Sequence, residues 1–152
     1  MKKRYVSEIL LDIWITIIFI NSLFPGDLSS AQSGFVVHLV QNFFNLFGFE
    51  PDQLFLSSFI RTLAHFVEFA ILGLLINVNL NKKPYPFYVM MIFGFVIALT
   101  DEIIQIFVPG RAFQLFDILI DVLGVLTGVI IGSIIMGLMA KKTKLLEDDI
   151  KS

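Results

Sequence analysis

Residues 98–128 read ALTDEIIQIFVPGRAFQLFDILIDVLGVLTG, two apolar runs joined at Pro109-Gly110. Pro followed by Gly is a strong break, so the stretch predicts a helical hairpin with one arm ending near Phe107 and the other starting near Leu115. Charge gathers around the break. Asp101, Glu102 and Gln105 occupy the last turns of the first arm, Arg111 sits in the turn, and Asp117 and Asp121 share a face in the first turns of the second arm. Gly124, Gly128 and Gly132 continue that face as a small-xxx-small ridge, which lets helix backbones approach closely. The face with the two acids therefore points inward.

Working outward, the apolar runs reach the ~20 residues a helix needs to cross a bilayer. The hairpin arms extend from Pro86 to Phe107 and from Leu115 to Ala140. Another span covers Phe59 to Val78, entered by a helical extension from Pro51, and the shortest covers Ile9 to Phe24 before Pro25-Gly26-Asp27. Composition agrees: 57% of the 152 residues are hydrophobic and 16% charged, against ~45–50% and ~25% in ordinary soluble domains. So much apolar surface cannot be hidden in one soluble core of this size.

The expected fold class is therefore all-α, a polytopic membrane bundle of four transmembrane helices. It forms one domain over residues 1–140, with a charged cytoplasmic tail over 141–152. Between the first two spans, Gly34 to Phe49 carries His38, Gln41, Asn42 and Asn45 at helical spacing among Phe and Val. That pattern predicts a short amphipathic helix in the outer interface, packed over the bundle or covering it as a lid.

Basic residues give the direction, since Lys and Arg near span ends stay cytoplasmic. Lys2, Lys3 and Arg4 precede the first span, Lys82 and Lys83 fill the turn between the second and third, and Lys141, Lys142 and Lys144 follow the fourth. Both termini are expected to be cytoplasmic. Lys2-Lys3-Arg4, an apolar run and Ser29-Ser30-Ala31 imitate a signal peptide, but the Pro-Gly-Asp break leaves Ala31 far from the apolar run. Either way the orientation of the remaining spans is the same. No basic stripe with interleaved aromatics points to nucleic acid. The absence of cysteine excludes disulfides, thiol nucleophiles and thiolate metal ligands.

Charges inside a membrane usually face a bundle interior or a water-filled cavity. Arg61, His65 and Glu68 recur at i, i+4 and i+7, on one face of the second span. His65, Asp101 and Asp121 each lie roughly 10 Å inside their outer helix ends at 1.5 Å per residue. The inner halves are almost free of charge. Five acids (Glu68, Asp101, Glu102, Asp117, Asp121) face two fixed cations, Arg61 and Arg111. All five cannot ionise cheaply in low dielectric. Some carboxyls are protonated, solvated by an open cavity, or balanced by a bound cation.

Three chemistries stay open. The charges are paired register devices, or they form an oxygen-rich divalent site (His65, Glu68, Asp117 and Asp121 suit Mg or Ca), or they do acid–base work through His65. No dedicated metal ligands are assigned, and no cofactor is expected beyond such a cation. No serine is placed beside His65: Ser57 and Ser58 lie about two turns away on the same helix, and Ser22 would have to approach across the bundle.

The 98–128 stretch, with its Asp-Glu-x-x-Gln helix end, Pro-Gly-Arg turn and Asp before a glycine-bearing helix, resembles the signature of the VanZ-like family of bacterial membrane proteins. RTLAHFVEFAILGLL, from Arg61, is similar to that family's basic-x-x-x-His segment. The resemblance puts His65, Asp101, Glu102, Gln105, Arg111 and Asp117 at the family's polar positions. Two positions depart from the pattern: Arg61 stands where Lys is common, and Asp121 where Asn is usual. It implies a role at the bacterial cell envelope, whose namesake is associated with low-level resistance to teicoplanin-type glycopeptides.

The combined expectation is a multi-pass protein of the bacterial cell membrane with an outward-facing pocket. His65, Asp101, Glu102 and Asp117 are the candidate catalytic groups. Arg61, Glu68, Gln105, Arg111 and Asp121 are the candidate substrate-binding groups. The partners are the lipid bilayer and a lipid-linked envelope precursor or lipoglycopeptide. Hydrolase or transferase chemistry stands beside a non-catalytic factor that alters access of drug or lipid to the surface.

Overall fold

The structure, a computed structural model, describes residues 2–80 and 85–151. Five helices run in order: α1 (Lys2–Ser22), α2 (Gly26–Asn45), α3 (Gln53–Leu80), α4 (Phe87–Ile106) and α5 (Leu115–Lys151). No strand occurs among the described residues. All but α2 contain a stretch long and apolar enough to cross a membrane. The fold is therefore the expected all-α membrane bundle.

The boundaries differ from the expected ones for local reasons. The Pro25-Gly26-Asp27 break ends one helix and opens the next, because Pro25 is the extended N-cap of α2 (φ −51°, ψ 148°). The loop helix thus begins at Gly26 and not at Gly34. It ends where Gly48 turns left-handed (φ 75°), with the amides of Phe49 and Gly48 donating to the carbonyls of Phe44 and Asn45, each at 3.1 Å. That is the glycine-closed helix end of a Schellman motif. Charged residues are good helix formers, so α1 starts before its apolar run. For the same reason α5 continues through the charged segment after Ala140. Lys82 and Lys83, expected to mark the cytoplasmic turn, lie outside the described residues.

The α4–α5 turn is built by Val108-Pro109-Gly110-Arg111. The Arg111 amide donates to the Val108 carbonyl at 3.1 Å and Gly110 has φ 75°, the type II pattern with Pro second and Gly third. This reversal carries Arg111 back toward the bundle.

Helix α3 is central and touches each of the others. Its Phe69, Leu72 and Ile76 pack with Val125 and Val129 of α5, Ile18 of α1, and Met90, Ile97 and Ala98 of α4. The glycine ridge explains the closeness of α3 and α5. A Cβ on Gly124 would stand 2.5 Å from the Phe66 carbonyl oxygen, and one on Gly128 would run into that of Ala70. Outward faces carry exposed aliphatics such as Ile13, Ile17, Ile92, Ile130 and Ile134, the surface a helix presents to lipid.

Two hydrogen-bonded levels fix the antiparallel register. Asn79 Nδ2 donates to the Ser7 carbonyl at 2.9 Å, and Asn77 Nδ2 donates to Ser133 Oγ at 2.9 Å and the Val129 carbonyl at 3.2 Å. The start of α1, the end of α3 and the middle of α5 thus share one level. At the opposite level stand Ser22, residues 61–68, residues 101–105 and residues 117–121.

Candidate functional site

That opposite level encloses a cavity of about 270 Å³. Arg61, His65, Glu68, Asp101, Gln105 and Arg111 line it, together with Asn21 and Ser22 of α1 and the apolar Ile18, Phe24, Val36 and Ile60. The i, i+4, i+7 spacing on α3 does put three polar groups on one wall. Phe24 and Val36 bring the α1–α2 corner over the same space, and Val37 is buried beside it, so α2 packs onto the bundle at the cavity.

Asp101 is the most completely held wall residue. Ser22 Oγ donates to its Oδ1 and Gln105 Nε2 donates to its Oδ2 at 2.8 Å. Ser22 therefore does cross the bundle, but its hydroxyl is committed to Asp101 and not to His65. Asn21 Nδ2 donates to Glu68 Oε1 at 2.8 Å, and Trp14 Nε1 donates to the Glu68 main-chain carbonyl at 3.0 Å. Three α1 side chains thus dock that helix against the polar wall.

Three of the expected site residues do not reach the cavity wall. Glu102 is fully buried and accepts the Gln114 amide through Oε2 at 2.8 Å, which ties the turn after Arg111 to the end of α4. Asp117 pairs through Oδ2 with Arg61 Nη2 at 3.4 Å. Asp121, 0% exposed, places Oδ1 3.5 Å from His65 Nδ1, close enough for an ion pair but too long for a good hydrogen bond. The arrangement has two layers, with His65 and Arg61 standing between the cavity and two acids of α5.

The polar groups of this level are far from satisfied. His65 Nδ1, Glu102 Oε1, Gln105 Oε1, Arg111 Nε and Nη1, and both carboxylate oxygens of Asp121 are buried without a hydrogen-bond partner. Native interiors pair most such atoms with protein or water. Burial, and then the neighbouring Arg61 charge, hold the Arg111 guanidinium below its usual range, against the pull of Asp101, Asp117 and Glu102. One imidazole nitrogen of His65 and one carboxylate oxygen each from Asp101 and Asp121 lie within 4.8 Å of one another.

Sequence reasoning did not single out Trp14, Val36 or the Gln114 amide. The signal for Trp14 was there, since Trp14, Ile18 and Ser22 recur at i, i+4 and i+8 on one face. Val36 and Gln114 enter only through tertiary placement.

One family model matches the chain, that of VanZ/LLP1, over residues 9–136. The match takes in every residue of the cavity. No curated protein and no solved structure matches.

Proposed function

The chain belongs to the VanZ/LLP1 family, and from that premise we propose that its cavity receives the anionic headgroup of a lipid-linked envelope molecule at the outer leaflet. The observation that carries this reading is Arg111. Two of its N–H groups are buried without a partner while the residue lines the cavity beside Arg61. A guanidinium fork with free donors matches a phosphate or carboxylate group. The apolar part of the wall, Ile18, Phe24, Val36 and Ile60, suits the first carbons of a lipid tail. The outward direction rests on the basic residues flanking the spans. Processing of the headgroup, by hydrolysis or transfer, would draw on His65 and Asp101, the acid–base groups at the wall.

A second reading makes the family's link to glycopeptide resistance a matter of altered access at the surface, with the charges as structural pairs. The Arg61–Asp117 and His65–Asp121 contacts at 3.4 and 3.5 Å favour it. One set of measurements separates the two. Purified protein in nanodiscs is titrated with a polyprenyl phosphate, and a cysteine replacing Ala112 is labelled with an impermeant reagent on intact cells. The headgroup reading expects saturable binding, at least ten-fold weaker in Arg61→Gln, and external labelling. Recovery of folding and of antibiotic tolerance in the Arg61→Gln/Asp117→Asn double variant, with no lipid binding by the wild type, would establish the structural reading instead.

A further inference from the structure

We propose that His65, Asp101 and Asp121 form a binding site for one divalent transition-metal ion, of the Zn²⁺ or Mn²⁺ kind, at the inner wall of the cavity. Three helices contribute one ligand each: α3, α4 and α5. Their donor atoms lie within 4.8 Å of one another. Two ligands held at ~2.1 Å from a common ion stand about 3.4 Å apart at a tetrahedral angle. The 3.5 Å between His65 Nδ1 and Asp121 Oδ1 fits that separation, whereas a direct hydrogen bond would draw them to ~2.7–2.9 Å.

The surroundings point the same way. Asp121 is 0% exposed, and neither of its oxygens has a hydrogen-bond partner. A carboxylate so enclosed is expensive unless a cation meets it. Neutral His65 with two carboxylates and one divalent ion sums to zero charge, which cuts the excess of acid at this level from three charges to one. Asp101 is already oriented by Ser22 Oγ and Gln105 Nε2, as outer-shell partners orient metal-bound carboxylates. Its oxygens keep lone pairs for the ion. Gln105, 1% exposed and on the cavity wall, leaves Oε1 without a partner, an acceptor for a water on the ion.

The mixed donor set chooses the metal. An imidazole with two carboxylates suits Zn²⁺, Mn²⁺ or Fe²⁺, whereas Ca²⁺ and Mg²⁺ prefer all-oxygen cages. Three protein ligands leave at least one position open. Because His65 and Asp101 line the cavity, that position faces the space where Arg61 and Arg111 stand. A ligand anion there would meet the ion on one side and the guanidinium groups on the other. The site itself does not depend on what the cavity admits.

The test uses the full-length protein in nanodiscs, stripped with chelator and titrated with Zn²⁺, Mn²⁺, Mg²⁺ and Co²⁺ in turn. The expected result is one Zn²⁺ or Mn²⁺ per chain, with a rise in melting temperature. Asp121→Asn and His65→Ala should lose stoichiometric uptake. Glu68→Gln, which alters a cavity acid outside the ligand set, should retain it. Ser22→Ala should weaken affinity ~10–100-fold, as loss of an outer-shell partner does. The chain has no cysteine, so a Co²⁺–thiolate absorption band in His65→Cys would place the ion at this position even if His65→Ala failed to fold. Uptake of Mg²⁺ alone, uptake unchanged in Asp121→Asn, or no uptake by folded wild-type protein would each overturn the proposal. Polyprenyl phosphate binding is measured separately, so a metal site without lipid binding, or the reverse, is distinguishable.

Discussion

The two ends of the bundle are built by the same helices and solve opposite problems. At the Asn77 end, the donors of the buried amides are met, while Asn77 Oδ1 and Asn79 Oδ1 have no hydrogen-bond partner. The Asn77 amide donates to Ser133 Oγ and the Val129 carbonyl and contacts Met90 Sδ at 3.8 Å. Gly132 leaves room for it, since a Cβ there would stand 2.8 Å from Asn77 Oδ1. At the cavity end, charged groups from α3, α4 and α5 converge and seven buried polar atoms lack hydrogen-bond partners. The amide nitrogens that hold the helices together at the Asn77 end are paired within the protein. On the reading proposed above, the cavity level, with seven unpartnered atoms and charged groups among them, is the one that binds, and the Asn77 level, with two amide oxygens, is the one that holds the helices.

The largest effect is expected where the two levels depend on a common support, the α3–α5 contact. Gly128→Ile would force a branched side chain into the Ala70 carbonyl. Ordinary overpacking costs ~1–3 kcal/mol, and here the added side chain meets backbone that has no rotamer to yield, so the loss should lie at or above that range. Both levels would separate together. The readout is the yield of monodisperse protein and its melting temperature; a normal yield with intact lipid binding would mean that the close approach is not needed.

A smaller effect is expected from Asn77→Ala. Interhelical hydrogen bonds in membranes are worth ~0.6 kcal/mol on average, up to ~1.7. The substitution should therefore lower stability by about 1 kcal/mol and leave lipid and metal binding at the other end unchanged. A large loss of binding would show that the two levels are coupled, and that the contrast between them is less sharp than the hydrogen bonding indicates.

Much of this contrast is legible in the sequence. Helical spacing placed Arg61, His65 and Glu68 on one face, and the hairpin at Pro109-Gly110 brought Asp101 and Asp117 to the same level. Periodicity fixes the rotation of a side chain about its helix but not which neighbour stands in front of it. It therefore could not separate the wall, His65 and Asp101, from the layer behind, Glu102, Asp117 and Asp121. Pro109-Gly110 is a local signature of the type II turn, but the placement of Arg111 at the cavity, and the crossing of Ser22 to Asp101, are long-range outcomes with no local signal. Asn77 was invisible for another reason: one uncharged amide barely alters the hydropathy of its span. The start of α2 is ambiguous in the sequence because Pro25-Gly26-Asp27 signals the end of one helix and, with Pro at a helix entrance, equally the beginning of the next.

The smallest effect on stability, and the sharpest on function, is expected for Arg111→Gln. Its guanidinium leaves Nε and Nη1 unpartnered, and burial with the Arg61 charge holds it below its usual range. A base whose folded-state value is depressed binds its proton less well folded than unfolded. At neutral pH, below both values, its positive charge is therefore carried at a cost to stability. The cost would fade only as pH rises through the folded value, and because a guanidinium keeps its proton in proteins, no pH dependence of stability from this group is expected near neutrality. Gln removes the charge, shortens the side chain and leaves the turn intact, because the hydrogen bond from residue 111 to Val108 is made by its amide. The melting temperature should hold steady or rise, while polyprenyl phosphate binding falls at least ten-fold, the loss of roughly one charge-assisted hydrogen bond at ~1.5–3 kcal/mol. A drop in melting temperature with unchanged lipid affinity would place Arg111 among the structural groups, beside Asn77, and shift the anion-binding role onto Arg61 alone.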